Sequence, residues 1–209
     1  MLLINRIIRK LSHKLERRKF KNIANDAILS YNIIVSKRDN LIMMEGSSLE
    51  SGTLIMNINA KFIMGRHSGA GPNLTVITGN HMSVVGKYLL DVNDNDKKIY
   101  DLNQRQDLDV VLEDDVWLGT NVTLLNGVRV GRGAVVAAGT VCRTKIPPYS
   151  MVAGNPAKII GFRFTPEQIL EHEMKLYSES DRLPKEILEK NYKKYYLDRL
   201  KEINQLCRL

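Results

Sequence analysis

Apolar positions recur every six residues from Leu112 to Pro147, and the stretch divides without remainder into LEDDVW, LGTNVT, LLNGVR, VGRGAV, VAAGTV and CRTKIP. The first place of each block holds Leu112, Leu118, Leu124, Val130, Val136 and Cys142. The fifth holds Val116, Val122, Val128, Ala134, Thr140 and Ile146. A long amphipathic helix would repeat at about 3.6 and a half-buried strand at about 2, so neither accounts for the period. Short extended stretches joined by turns do, with each block supplying one flat side of a stacked coil. Such blocks gain a core only by stacking. The small polar and glycine residues between them, Gly119, Asn121, Asn126, Gly127, Gly131, Gly133 and Gly139, tolerate left-handed backbone at corners.

Outside this run the pattern changes character. Residues 2–20 place Leu3, Ile4, Ile7, Ile8, Leu11 and Leu15 on one side of a helical period with basic residues between them, which predicts an amphipathic helix. Its two readings are contact with an anionic membrane surface and packing against a neighbouring subunit or the open end of the coil. AILSYNIIVSK at 27–37 fits either a short helix or a first irregular strand. The coil proper is expected from Leu41 or Leu49, with the phase secure from Ile58 through Met64, Ala70 and Val76. After Thr78-Gly79-Asn80-His81 the rhythm stops. Residues 82–107 collect Asp, Asn and Lys and read as an arm thrown out of the stack, able to pack on a neighbouring subunit through Tyr88, Leu89, Leu90, Ile99, Tyr100 and Leu102.

Pro147-Pro148 closes the repeat, since proline cannot donate to a ladder. Residues 152–160 read as extended. Thr165 then caps a helix, with Pro166 first inside it and Gln168 in the capping-box place, running to about Tyr177. A second helix is expected from near Pro184 to Leu206. The predicted organisation is an N-terminal helical segment at 1–40, a β-solenoid at 41–160 with its arm at 82–107, and a C-terminal helical tail at 161–209.

The repeat, with Val116-Trp117-Leu118-Gly119, Ile146-Pro147-Pro148-Tyr149-Ser150 and the tail Val152-Ala153-Gly154-Asn155-Pro156-Ala157-Lys158, resembles the hexapeptide-repeat acyltransferases. That resemblance implies a left-handed parallel β-helix of triangular section, a homotrimer, and acetyl-CoA as cosubstrate. It also implies direct transfer to an acceptor with a histidine as general base, a place that falls on His81. The chemistry agrees, because imidazole is the ordinary side chain that titrates nearest neutrality and can take a hydroxyl proton. By the same resemblance the pantetheine arm meets backbone at Gly119, Thr120, Ala137 and Ala138, and the nucleotide end meets Arg143, Lys145 and Lys158. An N–H between Trp117 and Thr120 is the candidate oxyanion donor. Many members of the family have Thr-Lys followed by an acidic residue just before the prolines, whereas this chain reads Arg143-Thr144-Lys145 and then Ile146-Pro147. Cys142, at an inward position, is expected to be an inert buried thiol. His13 and His172 fall in predicted helices and His67 at a corner.

The 209 residues carry a net charge of +8, but residues 1–21 alone hold eight Lys and Arg against Glu16. The rest is nearly neutral and carries no nucleic-acid module, so nucleic acid is not an expected partner. Two cysteines form neither a disulfide framework nor a metal spacing, and no metal is expected. No apolar run is long enough to span a membrane, and the opening MLLINRIIRKL breaks too soon for a signal peptide. The expected location is the cytoplasm, and on the membrane reading of residues 2–20 its place is at the inner face of the membrane. The leading expectation is O-acetyl transfer to a hydroxyl of a sugar or surface saccharide. The alternatives are O-acetylation of an antibiotic of chloramphenicol or streptogramin type and N-acetylation of an amino sugar.

Overall fold

The computed structural model describes residues 17–207. The predicted helix at 2–20 lies almost wholly outside them. Among the described residues, sixteen short strands form a three-sided coil. The first face stacks β1 (Ile28–Leu29), β4 (Ser48–Leu49), β7 (Gly69–Ala70), β10 (Trp117–Leu118), β13 (Val135–Val136), β15 (Ser150–Ala153) and β16 (Lys158–Phe162). The second stacks β2 (Ile34–Val35), β5 (Leu54–Met56), β8 (Thr75–Ile77), β11 (Thr123–Leu124) and β14 (Val141–Cys142). The third stacks β3 (Leu41–Met43), β6 (Phe62–Met64), β9 (Val110–Leu112) and β12 (Arg129–Val130). The chain visits the faces in turn, and all pairs are parallel except the last, β15 with β16. This is the left-handed parallel β-helix that the family resemblance implied, built from the stacked coil that the hexad period predicted.

The period sets the register. Trp117 pairs with Val135, Thr123 with Val141 and Val111 with Arg129, each eighteen residues on, so three blocks of six make one turn. All six first-place residues are buried, and so are all six fifth-place residues. Their side chains fill one continuous core along the axis. The fourth place of five successive blocks, Asp115, Asn121, Gly127, Gly133 and Gly139, has positive φ, so the corner turn falls there. Gly119 and Gly131 do not share that φ. A β-carbon on Gly119 would stand 2.6 Å from the Ala138 amide nitrogen, so closeness of the next turn requires that glycine.

The early turns are looser, because Ile28 pairs with Ser48 and Ser48 with Gly69, twenty and twenty-one residues apart. This changes two expectations. Strands begin at Ile28, so the strand alternative at 27–37 holds, and residues assigned to the N-terminal helical segment form the first turn of the coil. Ile58 is 62% exposed, while Met64, Ala70 and Val76 are buried as their phase required. The extra residues between β5 and β6 push Ile58 outward and leave Asn57 inside, bonded to the Lys37 amide and carbonyl at 3.0 Å each. Below the first turn, Phe20, Ile23 and Ala24 pack on the core. Arg17 donates to the carbonyls of Ala27 at 2.6 Å and Ala24 at 2.7 Å.

The arm leaves between β8 and β9, at the edge where the second face meets the third. Its base is closed by an antiparallel bridge between Gly79 and Asp107. It contains a 3-10 turn (Leu89–Asp91) and one helix, α1 (Asp94–Tyr100), with Asn93 and Asp96 forming a reciprocal cap. Lys87 holds the buried Asp96 at 2.5 Å. Val85, Tyr88, Leu89, Leu90, Ile99, Tyr100 and Leu102 are exposed on it.

Residues 154–157 turn β15 back into β16. Then come α2 (Pro166–Leu176), α3 (Lys185–Tyr195) and α4 (Leu200–Leu206), the expected second helix being broken at Leu197–Arg199. Thr165 and Gln168 form the capping box read from the sequence. The tail is tied to the coil through Glu173 on α2. Its buried carboxylate accepts from Tyr149 at 2.5 Å, Arg132 at 2.8 Å and the Leu183 amide at 2.9 Å. Among the described residues no helix is long and apolar enough to cross a membrane.

Candidate active site

His81 stands where the coil gives way to the arm, and its backbone is held on both sides. Thr78 is buried, its hydroxyl donating to the Met56 and Ala60 carbonyls at 3.2 and 3.3 Å. The Asn80 amide donates to the Gln106 carbonyl at 2.7 Å, and its side chain to Asn126 Oδ1 at 2.9 Å on the next turn. The side chain of Asn126 in turn donates to the Arg105 carbonyl at 2.9 Å. The imidazole itself is exposed and has no hydrogen-bond partner among the described residues.

The ring borders an open pocket of about 260 Å³ whose walls come from β5, the following corner, β8 and the arm. Met56, Ile58, Ile77 and Val92 form its apolar side. Asn59, Asp94, Lys97 and Asp107 form the polar side, with Lys97 Nζ at 3.0 and 3.1 Å from the Asp107 carboxylate oxygens. None of these pocket residues was nominated for the site from the sequence. Lys97, Asp94 and Asp107 read there as arm polarity, and Ile58 as core; only folding the arm back onto the looser corner brings them to one place.

The remaining nominated residues divide between two edges of the triangle. Gly119 and Thr120 follow β10, and Ala137 and Ala138 follow β13, all on the edge between the first and second faces. Lys158 opens β16 on that same edge, beside a turn whose Ala157 amide donates to the Val141 carbonyl at 2.9 Å. Small residues are stacked here, and the Thr120 hydroxyl is spent on the Pro72 carbonyl at 3.0 Å. Arg143 and Lys145 follow β14 instead. They are exposed on the edge between the second and third faces, which is the edge of His81, two turns further along the axis. The seven residues therefore do not form one cluster within a chain. Of the candidate oxyanion donors, the Trp117 and Gly119 N–H groups are engaged in the ladder, donating to Ala134 and Val136 carbonyls at 3.0 and 2.8 Å.

Trp117 lies outward on the first face, over Gly69 and 53% exposed. Cys142 is buried as its inward position required, and burial pushes its thiol up from 9.0 to about 12. His67 is an exposed corner residue with φ of 55°. His172, in α2, meets Asp115 at 3.3 Å and the ring of Tyr149 edge-on. Among the described residues, no group of three or more His, Cys, Asp or Glu is placed to hold a metal ion.

A coil of stacked hexads with an arm at one edge defines the class, a left-handed parallel β-helix protein. Residues 109–144 match the family described as bacterial transferase hexapeptide (six repeats), and that stretch of the chain is such a repeat. A probable macrolide acetyltransferase of Lysinibacillus sphaericus is 48% identical over 61 residues, which are 29% of this chain and 34% of that protein. A 2,3,4,5-tetrahydropyridine-2,6-dicarboxylate N-acetyltransferase of Staphylococcus aureus is 53% identical over 51 residues, 24% of this chain and 21% of that one. The matches thus span about a third and a fifth of those relatives. Among solved structures, a hexapeptide-repeat-containing acetyltransferase of Vibrio cholerae in complex with acetyl coenzyme A superposes with a TM-score of 0.59. It is 23% identical, over 73% of this chain and 76% of that one, a likeness of fold.

Proposed function

We propose that the chain is an acetyl-CoA-dependent acyltransferase with His81 as general base. The observation that carries this reading is an exposed imidazole, free of internal hydrogen bonds, beside a pocket of mixed polarity at the root of the arm. In the proposed reaction an acceptor hydroxyl is bound with its proton toward the ring. As the oxygen attacks the thioester carbonyl, imidazole takes that proton. When the carbon–sulfur bond breaks, the imidazolium returns it to the departing thiolate. The products are the acetyl ester and CoA with its thiol, and His81 ends as it began. No acyl-enzyme is involved; the inward, protonated Cys142 is unsuited to be a nucleophile.

The acceptor best supported is a small molecule of antibiotic type. The apolar wall of Met56, Ile58, Ile77 and Val92 suits a body less polar than a plain sugar, and the relative matched over 61 residues is named a probable macrolide acetyltransferase. A saccharide hydroxyl is the second reading, favoured by the acceptor oxygens of Asn59, Asp94 and Asp107 in the same lining. The donor is proposed to lie along the edge of Gly119, Thr120, Ala137, Ala138 and Lys158. That edge is not the edge of His81, so a working site needs two chains, the His81 edge of one beside the donor edge of the next. This is the physical argument for a homotrimer. Arg143 and Lys145, on the His81 edge, would then reach the nucleotide end of a donor held mainly by the neighbouring chain.

The test is CoA release from acetyl-CoA against a panel of macrolide, chloramphenicol, sugar and amino-sugar acceptors, for wild type and His81→Ala. Turnover is expected to fall at least ~100-fold in the variant, with acetyl-CoA affinity retained. Unchanged turnover would remove His81 from the mechanism, and release with no acceptor would remove the proposed reaction.

A further inference from the structure

The pocket beside His81 is electrically lopsided, and its charges bear on which acceptors it takes. Two carboxylates and one ammonium line it. Asp107 is answered within the chain: Lys97 meets both of its oxygens, at 3.1 and 3.0 Å, and Asn59 Nδ2 adds a contact at 3.3 Å. The ammonium of Lys97 is thereby occupied. Asp94 is not answered. The only hydrogen bond to its carboxylate among the described residues is from Asn59 Nδ2 at 3.4 Å, and no cation meets it. One negative charge therefore remains in a pocket that is also lined by the apolar side chains of Met56, Ile58, Ile77 and Val92.

We propose that this pocket selects acceptors carrying a protonated amine on a body with an apolar face. The ammonium meets Asp94, the apolar face lies on Met56 and Ile58, and a hydroxyl is left at His81. The proposal rests on the reading of this pocket as the acceptor site, and narrows it from small molecules to amine-bearing ones. A carboxylate in place of the ammonium would stand against Asp94, and among the described residues lining the pocket the one lysine is already paired with Asp107. Asp94 is exposed, so the discrimination is that of a solvated ion pair, roughly two- to five-fold in affinity, and it weakens as salt screens it.

Three 4-nitrophenyl glucosides that differ only at carbon six, bearing an amine, a hydroxyl or a carboxylate, supply matched probes. Their dissociation constants are measured by calorimetry on the full-length protein, at a pH where the amine is protonated and at low and high salt. The amine is expected to bind tightest, about three-fold over the hydroxyl compound, and the carboxylate weakest. Asp94→Asn should abolish the preference, so that the amine and carboxylate compounds bind alike, and high salt should shrink it in the wild type. Equal binding of all three, binding of none, or a preference that survives Asp94→Asn overturns the proposal. Acetyl transfer is followed in parallel with wild type and His81→Ala. Should the charge order hold with no transfer to any probe by the wild type, the catalytic reading falls and the pocket's selectivity stands. Should transfer occur without a charge order, the reverse follows.

Discussion

Two buried protonated groups make the fold sensitive to alkali. Cys142 fills a first place in the repeat, and burial raises its thiol from 9.0 to about 12. Tyr149 is raised above the usual phenol range, first by burial and then by the hydrogen bond it donates to the Glu173 carboxylate. In both, the unfolded chain gives up the proton at a lower pH than the folded one. Their stabilisation is therefore complete below the ordinary thiol value and lost as pH rises toward the folded one. The urea midpoint is expected to fall between about pH 8 and about pH 11, and Cys142→Ala should flatten part of that fall despite lowering stability at the start. A midpoint independent of pH over that range would contradict the burial argument. At neutral pH a thiol reagent should label Cys207, which is exposed, and reach Cys142 only in denaturant.

Within the elements, the arm shows how much one polar residue can organise. Its sequence has no hexad period, and its seven-residue helix is too short to form from propensity alone. Asn93 starts it by accepting from the Asn95 and Asp96 amides, while Asp96 accepts from the Asn93 amide. Asn93→Ala is expected to cost about 1 kcal/mol locally. Amide exchange should accelerate through Asp94–Tyr100 while protection of β10 and β11 is unchanged. Loss of protection throughout the coil would mean that the arm supports the stack, contrary to its attachment at a single edge. Because Asp94 and Lys97 lie on α1, the same variant should weaken acceptor binding without altering acetyl-CoA affinity. The boundaries of this helix were illegible in the sequence because its cap joins Asn to Asp, outside the usual Ser or Thr with Glu or Gln. Thr165 with Gln168 had that form, and the start of α2 was legible for that reason.

For the whole molecule, the separation of His81 from the Gly119–Ala138 edge makes assembly a condition of the proposed activity. The outward Trp117 and the exposed apolar residues of the arm are the surfaces proposed to meet other copies. Trp117→Glu is expected to shift the light-scattering mass from about three chains to one and to abolish transfer, although its outward side chain leaves the coil's own core intact. A monomeric wild type with full activity would refute the shared site.

The sequence by itself determined the coil from Leu112 onward, because side chains at the first and fifth places of each hexad are buried by their neighbours in the stack, and a fixed period leaves one way to stack them. It determined the cap of α2 and the burial of Cys142 for the same local reasons. The tertiary structure decided where the irregular turns begin, since twenty or twenty-one residues per turn leave no constant phase to read, and it moved Ile58 from the core to the pocket wall. It also decided which residues share an edge: His81 with Arg143 and Lys145, and Gly119 with Ala138 and Lys158. Proximity around a triangular coil depends on the number of residues per turn and on where the arm leaves, and neither is written in any single motif.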